Sequence, residues 1–173
     1  MEGDRWSELS SNQKGAIAEA EFFCAAVWGG VPVAKPMSEH GRADLVLDLG
    51  GSLKRIQCKW ANLHGGVVSV RIGTCRLTPR GYVRTTYGVD EVDAFGIYWA
   101  GLDKCYLLPI SEAAGQMQVH LRIEPAKNNQ RARLKWAAQY EFPGAIAQLG
   151  ERVTGSHEAA GSSPASSTQL RLG

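Results

Sequence analysis

The chain has 173 residues, of which 44% are hydrophobic and 21% charged, with a formal net charge of +2. That is the balance of one globular domain with a real core. It leaves no room for two independent domains and gives no global polycation of the kind that announces a nucleic-acid binder. No apolar run is long enough to span a membrane, and the polar stretch from Met1 to Lys14 lacks the apolar centre of a signal peptide.

In chain order, Ser10-Ser11-Asn12 offers helix-capping side chains. The Ala-rich run from Lys14 to Trp28 carries Ile17, Phe23, Cys24 and Val27 at near-helical spacing and stops at Gly29-Gly30. Val31 to Lys35 reads as a short strand ending near Pro36, and Ser38 to Gly41 as polar loop. Arg42 to Leu49 alternates like a strand, Gly50-Gly51 is a turn, and Leu53 to Ala61 is the returning strand. Val67 to Ile72 is a third β-branched run. Thr78 to Gly88, rich in Gly, Pro, Thr and Arg, reads as a loop. Ala94 to Trp99 and Cys105 to Ile110 are two more strands, Ser111 to Gly115 a helical turn, Gln118 to Ile123 a late strand, and Arg131 to Tyr140 a late helix. One helix, a meander and mixed elements argue for an α/β or α+β sandwich around a central sheet.

The four cysteines, Cys24, Cys58, Cys75 and Cys105, form no CxxC or CxxH pair. A zinc site is therefore not expected, and a reducing cytosolic setting fits. Charge is uneven along the chain. Between Ala61 and Val89 there is no Asp or Glu, while Arg71, Arg76, Arg80 and Arg84 fall there. Between Pro125 and Tyr140 there is again no acid, while Lys127, Arg131, Arg133 and Lys135 fall there. Two acid-free basic stretches suit a polyanion, although solvated faces have the same composition. His40 and His64 fall in loops and read as polar surface.

The hairpin carries the sharpest chemistry. If Gly50-Gly51 is a two-residue loop, facing residues sum to 101, so Asp44 faces Gln57 and Arg42 faces Lys59. Alternation then puts Asp44, Gln57 and Lys59 on one face, and Ile56, Cys58 and Trp60 on the other. An acid beside a lysine can be merely a salt bridge. Here, however, the polar set interrupts an apolar hairpin, where charge is costly without a purpose. The preceding helix can also bring Glu19 or Glu21 to the same spot, with helix phase favouring Glu19. Two carboxylates and a backbone carbonyl make a hard-oxygen site suited to Mg²⁺.

The ordered set Asp44, Gly50-Gly51 and Gln57-Cys58-Lys59 resembles the D…(D/E/Q)xK core of PD-(D/E)xK nucleases. The chain is most similar to the branch formed by bacterial group I intron homing endonucleases of that fold. The matching motifs are Lys14-Gly15-Ala16-Ile17-Ala18-Glu19-Ala20 (KGxxxEA), Arg42-Ala43-Asp44-Leu45-Val46-Leu47-Asp48 (RxDLVxD), Ile56-Gln57-Cys58-Lys59 (IQxK), and the strands Asp93 to Trp99 and Tyr106 to Ile110. Asn128 to Glu141 also looks familial, so the resemblance covers most of the chain.

The resemblance implies a restriction-endonuclease-like α/β core, a central mixed sheet flanked by helices, over residues 1–143. It implies a metal-dependent endonuclease with Glu19, Asp44, Gln57 and Lys59 as catalytic residues. Asp44, Glu19 and the Cys58 carbonyl would hold Mg²⁺, with Mn²⁺ able to substitute. Lys59 would orient or activate the attacking water and Gln57 would position a water. Gln at position 57, where most of the superfamily has an acid, is usual in the resembled branch and leaves Asp44 to supply most of the charge. The implied substrate is double-stranded DNA, cut to 5′-phosphate and 3′-hydroxyl ends, with Arg71, Arg76, Arg80 and Arg84 where DNA-contacting elements fall. Cutting both strands needs two sites, hence a homodimer or homotetramer. A junction resolvase, a restriction-type enzyme and a non-cleaving DNA-binding module are the competing readings. Intact Asp44, Glu19 and Lys59 argue against the last.

Residues 144–173 are small, polar and expected to be disordered. They resemble the in-frame translation of a transfer-RNA gene. Ala147-Gln148-Leu149-Gly150-Glu151-Arg152 fits codons of a D-arm and Gly161-Ser162-Ser163-Pro164 those of a T-arm.

Overall fold

A computed structural model of the protein describes residues 6–37, 41–125 and 134–144. The expected tail, apart from Gly144, and residues 126–133 lie outside the described residues.

Helix α1 spans Ser11–Trp28 and starts on a capping box. The Ser10 hydroxyl accepts from the Gln13 backbone N–H at 3.3 Å, and Gln13 Oε1 accepts from the Ser10 N–H at 2.9 Å, so two otherwise orphaned donors are satisfied. Gly29 N–H closes the helix on the Ala25 carbonyl, and Gly30 turns the chain at φ +70°. Ala18, Phe22 and Ala26, spaced by four, form its buried edge. Full burial of Phe22 contributes about 1.5–3 kcal/mol.

The strands are β1 (Val33–Ala34), β2 (Leu45–Leu49), β3 (Ser52–His64), β4 (Val67–Arg71), β5 (Thr74–Thr78), β6 (Gly81–Thr85), β7 (Ala94–Trp99), β8 (Lys104–Pro109), β9 (Gln118–Arg122) and β10 (Glu141–Phe142). The main path of the sheet runs β1-β2-β3-β7-β8-β10, with β4 and β9 added beside the far half of β3. The β3–β7 pairing is parallel and the other strand pairings are antiparallel, so the central sheet is mixed. Strand β3 organises it. Ser52 to Ile56 pair with β2, Ile56 to Trp60 with β7, and Ala61 to His64 with β4. One face packs on α1 through Leu45, Leu47, Ile56, Cys58 and Leu107. The other face closes a second core with Val68, Val70, Phe95, Ile97, Leu108 and Leu121.

The Gly50-Gly51 turn has positive φ at both positions (+65° and +91°), as a tight hairpin requires, and the register is the expected one: Leu45 faces Ile56 and Leu49 faces Ser52. Asp48 Oδ1 braces the turn by accepting from Gly51 N–H at 2.6 Å. The start of β7 is fixed by Asp93. Its Oδ2 accepts from the Arg55 backbone N–H at 2.7 Å and from Arg55 Nε at 3.0 Å. Burial pushes that carboxyl up, but the Arg55 contacts outweigh it and hold it below its ordinary value.

Four sequence expectations are corrected. The run from Val31 to Lys35 contributes only Val33–Ala34 as strand, and the strand expected from Arg42 begins at Leu45. The loop expected from Thr78 to Gly88 is largely a two-stranded arm, β5 with β6. Nearly all of its residues are exposed, so no apolar alternation marks it. Residues 131–133 of the expected late helix lie outside the described residues; the remainder is no α-helix. Trp136 is extended (φ −84°, ψ 126°) and bridges Arg122, and Arg122 N–H takes the Lys135 carbonyl at 2.7 Å, which holds the backbone open until a 3₁₀ turn at Ala137–Gln139. Accordingly α1 is the one α-helix among the described residues, and it packs on the mixed central sheet expected of the α/β core.

Candidate active site

The site forms where β2 leaves β3. The last rung is Asp44 N–H to the Ile56 carbonyl at 2.8 Å, and from Gln57 to Trp60 the strand partner of β3 among the described residues is β7 alone. The opposite edge of β3 is therefore open at Cys58, and Asp44 fills it. Its Oδ2 accepts from the Cys58 backbone N–H at 2.7 Å and from Gln57 Nε2 at 2.5 Å. Asp44 Oδ1 has no hydrogen-bond partner among the described residues. Both groups line an open cleft of about 810 Å³ whose walls also include Glu19, Lys59 and Arg71.

The open edge explains how residues from both sides of the sheet meet. Cys58 points to the α1 side and is buried there, and Gln57 and Lys59 point to the other side. Glu19, on α1, reaches the same cleft past the edge that β2 has vacated, and forms an ion pair with Lys35. Glu21 lies elsewhere, within electrostatic range of Tyr98 and Cys105. Of the two candidate glutamates, the cleft therefore takes Glu19.

Tyr87 ties the polar groups together, and the sequence reading did not identify it. Its hydroxyl donates to Gln57 Oε1 at 3.2 Å and receives Lys59 Nζ at 3.5 Å, while that ammonium lies 5.2 Å from the ring centroid. With Oε1 committed to Tyr87, the Gln57 amide must present Nε2 to Asp44. The ring stacks edge-on against Phe95 at 5.4 Å. Arg42 was expected opposite Lys59. It lies instead over the Tyr87 ring, 4.2 Å from the centroid, because β2 begins too late to hold it in register. Arg42 also pairs with Glu91 at 2.8 Å and donates to the Thr86 carbonyl at 3.2 Å, which secures the segment carrying Tyr87.

The electrostatics are those of a site held in tension. Burial raises the Asp44 carboxyl above its ordinary value, although the Cys58 N–H and the Lys59 charge oppose it. Burial lowers the Lys59 ammonium, against the pull of Asp44. Burial also raises the Tyr87 hydroxyl and raises the Cys58 thiol strongly. A carboxylate and an amine each displaced toward neutrality and sharing one cleft are a recurring mark of functional sites.

Among the described residues, no three or more His, Cys, Asp and Glu side chains are placed so as to hold a metal ion by themselves. The donor set nonetheless fits a hard divalent ion: one Asp44 oxygen is fixed by N–H donors, the other is unpartnered, and Glu19 shares the cleft. Mg²⁺ characteristically takes one or two carboxylates and completes its shell with water and substrate oxygens.

The expected DNA-contacting arginines fall into two groups. Arg71, at the end of β4, is on the cleft wall. Arg76 and Arg84 are on the exposed β5–β6 arm and Arg80 is in its turn. Leu77, Tyr82 and Val83 are exposed on the same arm.

The family model described as PD-(D/E)XK endonuclease matches residues 9–143. Among solved structures, a bacterial homing endonuclease, I-Ssp6803I, is similar with a TM-score of 0.66 and 25% identity, covering 87% of this chain and 100% of that one. No curated protein matches the chain. The family match spans most of the chain, and the protein belongs to the PD-(D/E)XK endonuclease family.

Proposed function

We propose that the protein is a site-specific, Mg²⁺-dependent homing-type endonuclease that makes double-strand breaks in DNA. The observation that carries this reading is the meeting of Asp44, Gln57 and Lys59 with Glu19 in one cleft at the open edge of β3. The similarity to a bacterial homing endonuclease supports the homing type. Four free cysteines suit a reducing compartment such as the cytosol, and no helix among the described residues is long and apolar enough to cross a membrane.

Asp44 and Glu19, with the Cys58 backbone carbonyl, would hold the ion, Mg²⁺ or in its place Mn²⁺. When bound, such an ion polarises the scissile phosphate and acidifies a water. The chain's own residues do the rest. Lys59 lines the cleft, and its ammonium stabilises charge developing on the phosphate and orients the attacking water. Its lowered affinity for its proton, caused by burial, also suits it to proton exchange with that water. Gln57 is committed on both ends, to Asp44 and to Tyr87, so its first task is to aim the carboxylate. Arg71 on the cleft wall and Arg76, Arg80 and Arg84 on the arm contact the DNA. A two-stranded ribbon is one of the shapes the major groove admits. Two copies of the chain, as a dimer or tetramer, supply one site per strand.

Tyr87→Phe tests the positioning network. It keeps the ring and removes the hydroxyl, so stability should change by only about 1 kcal/mol. The cleavage rate should fall by about tenfold because the Gln57 amide is free to turn over. A rate equal to wild type would show that Tyr87 only packs.

The homing reading is tested by mapping break ends on plasmids carrying uninterrupted transfer-RNA genes. These genes are chosen because residues 144–173 read as a translated transfer-RNA gene. Breaks at one recurring sequence support it. Breaks scattered along the plasmid, or confined to branched DNA, favour a structure-selective nuclease.

A further inference from the structure

A second cleft adjoins the candidate active site. A cleft of about 600 Å³ lies over β4 and β9 and shares His64, Ser69 and Gln118 with the walls of the first, so the two form one continuous groove. The register explains its chemistry. Ser69 faces His120, Arg71 faces Gln118 and Val67 faces Arg122, while the intervening Val68, Val70, Val119 and Leu121 are buried in the core. Strict alternation thus turns almost every polar side chain of this pair outward. Asn62 and His64 on β3 extend the same face through their pairing with Ser69 and Val67.

The charge is one-sided. Along the joined walls, the cations are Lys14, Lys59, Arg71, Arg122 and Lys135, with His64 and His120 between them. The carboxylates among the lining residues are Glu19 and Asp44, both at the candidate metal site. Beyond those two, no lining residue is acidic, although Glu112 pairs with Lys135 at 3.8 Å, and the walls are rich in hydrogen-bond donors, which fits a polyanion and does not fit a basic or apolar partner. From Val67 to Arg71 the strand runs about 13 Å, close to the axial rise of four phosphates on one DNA strand.

We propose that the outward face of β4 and β9 holds the DNA backbone flanking the scissile phosphate, with Arg122, His120 and Lys135 as contacts additional to the arginines of β4 and the arm. The proposal rests on the endonuclease reading. It concerns phosphate contact, which sets affinity and register, and not base recognition.

The test is binding of a random-sequence 40-base-pair duplex to the full chain in EDTA, titrated across salt concentration. Wild-type protein is compared with Arg122→Gln, Lys135→Gln and the control Lys54→Gln, which changes a lysine on β3 that lines neither cleft. Each groove variant should reduce the slope of log affinity against log salt by about 1 and weaken low-salt binding by about threefold to tenfold. The control should match wild type. If both groove variants keep the wild-type slope while wild type binds DNA in a salt-dependent way, the groove assignment fails and the endonuclease reading stands. If wild type binds no duplex at any salt concentration, both fail.

Discussion

Asp44→Asn should reduce DNA cleavage to below about one-thousandth of wild type while leaving the fold at least as stable as the parent. The loss follows from removing the carboxylate charge at the candidate metal site. The unchanged or improved stability follows from the electrostatics of the metal-free protein. Burial raises the Asp44 carboxyl, so the folded state binds its proton more tightly than the unfolded chain does. Stability contributed by this group is present below the ordinary carboxylate pKa and is lost as pH rises through the raised value. Asn, neutral throughout, removes that loss. It keeps a carbonyl oxygen to accept from Cys58 N–H. Thermal unfolding in EDTA should therefore show the Asn variant gaining on wild type as pH rises above the ordinary carboxylate pKa of about 4. Added Mg²⁺ should raise the midpoint of wild type and leave that of the variant unmoved. A variant that loses ground on wild type as pH rises would contradict this account of Asp44.

Gly96→Val should lower stability by about 3 kcal/mol, or about 6–12 °C in the unfolding midpoint. Gly96 lies on β7 directly beneath α1. A Cβ there would sit 2.9 Å from Cδ2 and Cγ of the Phe22 ring and 3.0 Å from Ile56 Cγ2. Phe22 cannot give way easily, because it is fully buried and stacked on Phe142 at 4.6 Å. The added methyl groups must lift the helix, and Glu19 rides on that helix. Any folded fraction should thus cleave less well than its concentration predicts, which separates this substitution from a purely destabilising one. Chemical denaturation alongside cleavage per folded molecule measures both. An unchanged midpoint would mean that α1 does not rest on β7 as described.

How much of this was legible beforehand depended on whether each feature is local. Gly-Gly between two apolar runs fixes a tight turn, and a tight turn fixes register, so the pairing of Leu45 with Ile56 followed from the chain alone. Helix phase favoured Glu19 over Glu21 because residues two apart on a helix diverge by about 200°. The geometry at the edge of β3 was not legible. Alternation placed Asp44, Gln57 and Lys59 on one face of a hairpin. In the structure, β2 stops and Asp44 reaches into the open edge, where its partners include a backbone N–H that no pattern of side chains reveals. Tyr87 was hidden for a related reason. It sits between β6 and β7 in a segment with no periodicity, and its importance comes from a contact 30 residues away. The β5–β6 arm lacks a buried face, and β10 is extended because Glu141 and Phe142 pair with Tyr106 and Cys105, a distant interaction that overrides local preference.

The central claim is that the cleft between Asp44 and Lys59 hydrolyses DNA. Its most direct test is conversion of supercoiled plasmid to linear form by wild type and Lys59→Ala side by side, in Mg²⁺ and in EDTA, with DNA binding measured on the same preparations. The account predicts linear product with 5′-phosphate ends from wild type in Mg²⁺ only. It predicts at least about a hundredfold less from Lys59→Ala, which should still bind DNA. Equal cleavage by the two proteins would place the chemistry elsewhere. Binding without cleavage by wild type in Mg²⁺, on plasmid and branched DNA alike, would contradict it.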